Sequence, residues 1–133
     1  KKKFIFNYDQ DSNKKKITKS IEIVYGLRNF IGNANKFSKN EVFINLKSDS
    51  EITEIIIEDD GNGYPRDVLS KIGEPYLKSN DPIEKSKTGL GLGLFIGKTL
   101  LEKNFATINC GNSKTRTGAE VIVKWNNKDL FNI

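Results

Sequence analysis

The 133-residue chain contains no histidine and a single cysteine, and each shortage excludes chemistry. Without histidine there is no imidazole metal ligand, no histidine-based catalytic triad and no residue that could itself carry a phosphohistidine. Cys110 has no second thiol to pair with, which suits a reducing cytosol. Its place in the apolar run from Phe105 to Cys110 favours a buried structural thiol, with a redox sensor as the alternative. Long apolar runs are also lacking, so no stretch approaches the length of a membrane-spanning helix. Arginine is scarce: Arg28, Arg66 and Arg116 stand well apart, although the net charge is +5. That charge lies largely in the lysine blocks Lys1–Lys3 and Lys14–Lys16 and reads as solvated lysine. The interleaved arginines and aromatics of a nucleic-acid-binding face are missing.

The length is that of one domain, residues 1–133, with room for a real core. Lys1-Lys-Lys-Phe-Ile-Phe opens the chain on a basic note but lacks the apolar region and cleavage site of a signal peptide, so the sequence reads as a fragment of a longer protein.

Alternation predicts a strand over Phe4–Tyr8, followed by a polar connection from Asp9 to Lys16. From Thr18 or Lys19 to Phe37 the period changes, with Ile21, Val24, Leu27, Ile31 and Ala34 at helical spacing. Val42–Lys47 and Ile52–Glu58, separated by Ser48-Asp49-Ser50, predict an antiparallel hairpin. Pro65 can open a short helix reaching Ile72, and Gly73–Thr88 is a polar stretch of the length that functional loops have. A second helix over Leu92–Lys103 and strands over Phe105–Cys110 and Ala119–Trp125 complete the set. In the last strand Ala119, Val121, Val123 and Trp125 share one face. Strands and helices that do not strictly alternate predict an α+β fold, a mixed sheet covered on one face by helices.

Three motifs carry chemistry. In Thr88-Gly-Leu-Gly-Leu-Gly-Leu94, alternate glycines let backbone N–H groups approach an anion at a helix start. Asp59-Asp60-Gly61-Asn62-Gly63 ends the apolar run Ile52–Ile57. Asn29, Asn33 and Lys36 form one stripe of the first helix, roughly opposite Val24, Leu27, Ile31 and Ala34. Each has an ordinary explanation taken alone: a helix entry, a strand-ending turn and a solvent face. The glycine spacing is not that of a Walker P-loop, and no strand directly precedes it as a dinucleotide-binding βαβ unit requires.

Together and in this order, the motifs resemble the N, G1 and G2 boxes of the ATP-binding domain of sensor histidine kinases, in the wider family that holds DNA gyrase B, Hsp90 and MutL. The resemblance covers nearly the whole chain. Gly73-Glu-Pro-Tyr-Leu77 and Leu92–Glu102 look most like the redox-responsive RegB/PrrB group. It implies the Bergerat ATP-binding fold, a two-layer α/β sandwich with a mostly antiparallel sheet, and ATP with Mg²⁺ as ligands. By the same resemblance Asn33 binds Mg²⁺, Lys36 lies toward the phosphates and Phe37 packs on the adenine side. Asp59 accepts from the adenine amino group, with Gly61 and Gly63 passing close to the base. For Gly73–Lys78 the resemblance implies a lid and nothing finer; within it Lys78, the first candidate, and Lys85 and Lys87 could reach the triphosphate, against the ordinary reading of solvated loop lysines. Thr88, Gly89, Leu90, Gly91, Leu92 and Gly93 hold its phosphate end.

Asn29 stands where the ATP-hydrolysing relatives carry a glutamate general base. An amide cannot take that proton, which points to transfer and away from hydrolysis. Gly32 departs from the kinases that carry an acidic residue before the magnesium asparagine. The implied partners are a histidine-bearing dimerisation domain, in the same or a partner chain, and a response regulator. The domain would be cytoplasmic within a parent bound to the inner membrane, itself touching neither membrane nor nucleic acid, and monomeric when isolated. A stand-alone ATPase or serine kinase of the same fold and a nucleotide-binding pseudokinase remain as alternatives.

Overall fold

The apolar segments assemble into five strands backed by two long helices. A computed structural model describes residues 2–8, 21–65 and 90–130. The elements run β1 (Lys3–Tyr8), α1 (Ile21–Phe37), β2 (Glu41–Ser48), β3 (Ile52–Asp59), α2 (Leu90–Lys103), β4 (Thr107–Asn112), β5 (Ala119–Asn126) and the short α3 (Asn127–Leu130). The sheet order is β1-β2-β3-β5-β4. β1 pairs parallel with β2, and the other three pairings are antiparallel. The expected α+β architecture and the β2–β3 hairpin are therefore present.

Alternation decides which side chains enter the core. Val42 and Ile44 of β2, Ile57 of β3, and Val121, Val123 and Trp125 of β5 are buried together with Phe30 and Ala34 of α1 and Leu94 and Leu101 of α2. Each large side chain withdrawn from water in this way stabilises the fold by roughly 1.5–3 kcal/mol. The indole Nε1 of Trp125 donates to the Asn104 carbonyl at 3.1 Å, so its one polar atom is satisfied inside the core. Cys110 packs against this core, and burial pushes its thiol up to about 12, as expected of a structural cysteine.

Two boundaries differ from the sequence expectation. α2 begins at Leu90, two residues before Leu92, so the second half of the glycine run is wound into its first turn. β4 spans Thr107–Asn112 instead of Phe105–Cys110, because Asn104 and Phe105 close α2. Phe105 takes a left-handed φ of 70°, and the Ala106 N–H donates back to the Leu101 carbonyl at 3.0 Å. This is a Schellman-type ending with phenylalanine where glycine is usual, which leaves Phe105 exposed. The start of the first helix before Ile21, the helix from Pro65 to Ile72 and the Gly73–Thr88 loop lie outside the described residues, apart from Pro65 itself.

α1 is also turned relative to the face that periodicity suggested. Its buried residues are Gly26, Phe30 and Ala34, while Val24 is only half-buried. Gly26 and Phe30 meet Leu101 and Gly97 of α2, Phe37 packs against the core, and that rotation brings Asn33 from the solvent side to the margin of the core.

Candidate nucleotide-binding site

Between the end of α1, the turn after β3 and the start of β5 lies a cavity of about 240 Å³. Phe30, Asn33, Ala34 and Phe37 of α1 form one wall, and Asp59, Asn62, Gly63, Tyr64 and Pro65 form another. Ile57, Ala119 and Val121 complete it from the sheet. A mostly apolar pocket with one carboxylate and two amides, Asn33 and Asn62, suits a flat, partly polar ligand.

Asp59 is 4% exposed. Its Oδ1 accepts from the backbone N–H groups of Gly61 at 2.8 Å and Ala119 at 3.3 Å. Among the described residues nothing bonds its Oδ2, which leaves that oxygen for a donor in the cavity. Burial raises the Asp59 carboxyl above its ordinary range, against the lowering effect of those two N–H groups. A group held at such a disadvantage is a common mark of a binding site.

The backbone around Asp59 is built for close approach. A Cβ on Gly118 would overlap the carbonyl and carboxyl oxygens of Asp59, and one on Gly61 would overlap the Phe37 carbonyl. Gly63 sits at φ +79°, which a side chain would strain. Asn112 fastens the next residue by accepting from the Tyr64 N–H at 2.6 Å and donating to the Tyr64 carbonyl at 3.2 Å. Gly118, Ala119, Asn112 and Tyr64 are site residues that the motif reading missed. Asn112, Gly118 and Ala119 lie in no motif that says which turn they meet, and Tyr64 directly follows Gly63.

Asn33 lines the cavity, and among the described residues its buried Nδ2 has no hydrogen-bond partner. An orphaned buried amide is unfavourable by about 1–3 kcal/mol unless something else satisfies it. The amide lies beside the first turn of α2, where a Cβ on Gly93 would be 3.1 Å from Asn33 Nδ2. The first turn of α2 thus meets the asparagine beside the pocket without lining it. Amide oxygen and helix N-terminus are both partners suited to Mg²⁺ and phosphate.

The remaining expected residues divide. Phe37 and Gly63 line the cavity, while Gly61 supports it from behind. Lys36 is exposed, with its Nζ 5.4 Å from the Phe37 ring centroid, and it does not line the cavity. Asn29 folds back on its own helix, donating to the Tyr25 carbonyl at 2.8 Å, and it also stands outside the cavity. Of Leu90, Gly91 and Leu92 only the backbone is described, in the first turn of α2. Lys78, Lys85, Lys87, Thr88 and Gly89 lie outside the described residues.

An apolar cavity that holds a buried carboxylate and a buried amide, with the first turn of a helix beside that amide, is the arrangement of an α+β ligand-binding domain. The chain belongs to the histidine kinase-, DNA gyrase B-, and HSP90-like ATPase family, whose profile matches residues 18–129. It is 36% identical to the sensor histidine kinase RegB of Cereibacter sphaeroides over 119 residues, covering 78% of this chain and 26% of that protein. It is 31% identical to the sensor protein KdpD of Clostridium acetobutylicum over 86 residues, covering 63% of this chain and 10% of that one. The chain thus spans about a quarter or less of these relatives. Among solved structures it resembles the mycobacterial sensor histidine kinase MprB, with a TM-score of 0.70 at 22% identity over 92% of this chain and 80% of that one. Full-length ShkA in complex with AMPPNP gives a TM-score of 0.67 at 22% identity, over 92% of this chain and 25% of that one. No described helix is long and apolar enough to cross a membrane.

Proposed function

We propose that this domain binds Mg²⁺-ATP and presents the γ-phosphate to a histidine on a separate dimerisation domain of a sensor kinase, from which a response regulator is served. The observation that carries the reading is the pairing, in one cavity, of the half-used Asp59 carboxylate with the unpartnered Asn33 amide. The AMPPNP complex of ShkA supports a nucleotide as the ligand. The relatives' names support a kinase in two-component signalling.

In this reading Asp59 Oδ2 accepts from the exocyclic amino group of adenine and rejects a 6-oxo base. Phe37 and the apolar wall cover the ring. The Asn33 amide oxygen, with phosphate oxygens and water, would hold Mg²⁺, which supplies charge neutralisation at the phosphates. The N–H groups at the start of α2 hold anionic oxygen. Lys36 adds positive charge near the mouth, and Lys78 and the Thr88–Leu92 segment complete the phosphate end. Positioning and neutralisation are most of what phosphoryl transfer asks of a protein. Asn29 offers no general base for water, so the isolated domain is expected to bind nucleotide with little turnover. The phosphoacceptor must come from elsewhere, because this chain has no histidine. The parent is a membrane-bound kinase with this domain in the cytoplasm, and the isolated domain is monomeric.

The test is phosphotransfer from γ-labelled ATP to a histidine-bearing helical domain supplied as a second chain. Acid-labile label on that chain, lost in Asn33→Ala, supports the proposal. Steady phosphate release without the second chain would favour a stand-alone ATPase, and tight binding with neither outcome would favour a pseudokinase.

A further inference from the structure

Glu58, Asp59 and Asp60 follow one another where β3 ends, yet their carboxyl groups bind three separate segments. Glu58, on the sheet face away from the helices, accepts from Ser113 Oγ at 2.6 Å and lies 3.7 Å from Arg116 Nε. Asp59 turns inward to the cavity. Asp60 reaches back to the connection between α1 and β2 and accepts from the N–H groups of Lys39 at 2.7 Å, Asn40 at 3.0 Å and Glu41 at 3.2 Å. Burial alone would raise the Asp60 carboxyl, but the N–H groups of Asn40, Glu41 and Lys39 outweigh it and hold the group below its ordinary range.

Those N–H groups follow directly on Ser38, whose own N–H donates to the Ala34 carbonyl at 2.9 Å to close α1. One residue earlier, the Phe37 carbonyl lies so close to Gly61 that no Cβ fits between them. The last turn of α1 is therefore held against the turn after β3 by one carboxylate and one backbone contact. That turn carries Phe37 and follows Asn33, both on the cavity wall that faces Asp59. From the other side, Thr117 Oγ1 donates to the Asp60 carbonyl at 3.2 Å, tying the loop before Gly118 to the same point.

We infer that Asp60 is a positioning residue of the nucleotide site: its grip on residues 39–41 sets the separation between the α1 wall and Asp59, and so the fit of the base. This rests on the nucleotide reading of the cavity. The partners of Asp60 are 19 to 21 residues away in sequence, so the spacing within Asp59–Gly63 gives no sign of this role.

A purely structural role would lower stability without changing affinity in the folded protein. Asp49 provides the matched control. It performs a similar task at the opposite end of the β2–β3 hairpin, its Oδ1 accepting from the N–H groups of Glu51 and Ile52, both at 2.8 Å. The experiment is calorimetric titration of adenosine, ATP and tripolyphosphate, with Mg²⁺ at fixed salt, below the melting temperature of every variant. Asp60→Ala is expected to weaken adenosine and ATP by about tenfold while tripolyphosphate is unchanged. Asp60→Asn, which keeps one acceptor oxygen, should fall between and stands in if the alanine variant does not fold. Asp49→Ala should melt lower and bind all three ligands as the parent does. Adenosine binding undiminished in both Asp60 variants would overturn the inference, as would equal weakening of all three ligands. A parent chain that takes up no adenosine would overturn the nucleotide reading and this inference with it. A parent that binds while the Asp60 variants match it would overturn this inference alone.

Discussion

Replacing Asp59 by asparagine separates what this carboxylate does for binding from what it costs the fold. Its Oδ1 is held by the N–H groups of Gly61 and Ala119, so an asparagine keeps its carbonyl oxygen there and turns its NH₂ group toward the cavity. In the proposed reading the adenine amino group would then meet a donor where it had a charged acceptor. Losing one charge-assisted hydrogen bond is worth about 1.5–3 kcal/mol, which is roughly 10- to 150-fold in affinity. Inosine triphosphate, with an oxygen at the same position, should gain, so the ratio of ATP to ITP affinity falls by more than either change alone. Stability should move the other way. Because burial raises the Asp59 carboxyl above its ordinary 3.8, its contribution is fully present below that pH and is lost as pH rises through the folded value. At neutral pH the buried charge is a net cost, so Asp59→Asn should melt higher than the parent at pH 7, with the difference shrinking toward pH 4. Titration calorimetry with ATP and ITP, and melting curves from pH 4 to 8, check both halves. Binding of ATP within threefold of the parent, with no change in base preference, would refute the assignment of Asp59.

Asn33→Ala should leave adenosine binding intact, remove the Mg²⁺ dependence of ATP binding, and cost the apo domain little, since the amide it deletes is buried without a partner; titration with and without Mg²⁺ plus a melting curve decides this. Gly118→Ala places a methyl group on the oxygens of Asp59 and should destabilise by about 2–3 kcal/mol while abolishing nucleotide binding, as denaturant unfolding and titration would show. Gly32→Ala fills open space on a helix, with nothing within 4 Å of the added carbon, and should stabilise by about 1 kcal/mol without altering nucleotide affinity.

Patterns local to the sequence decided much of this protein. Alternation placed β2, β3 and the inward face of β5, because side-chain direction in a strand has period two whatever the strand packs against. The Asp59–Gly63 turn and the asparagines of α1 were legible as chemistry, since their residue types and spacing are themselves the signal. The rotation of α1 was not: Val24 marked one apolar face, and the packing of Gly26 and Phe30 against Leu101 and Gly97 of α2 turned the helix toward Asn33. The edge of β4 moved because Phe105 accepted a left-handed conformation to end α2, a choice fixed by the helix termination and not by its own propensity. The roles of Gly118, Asn112 and Asp60 depend on partners 19 to 60 residues away. Only the folded sheet brings the start of β5 and the end of α1 to the same carboxylate, so tertiary structure alone could decide which turn residues hold Asp59 and which wall of α1 faces it.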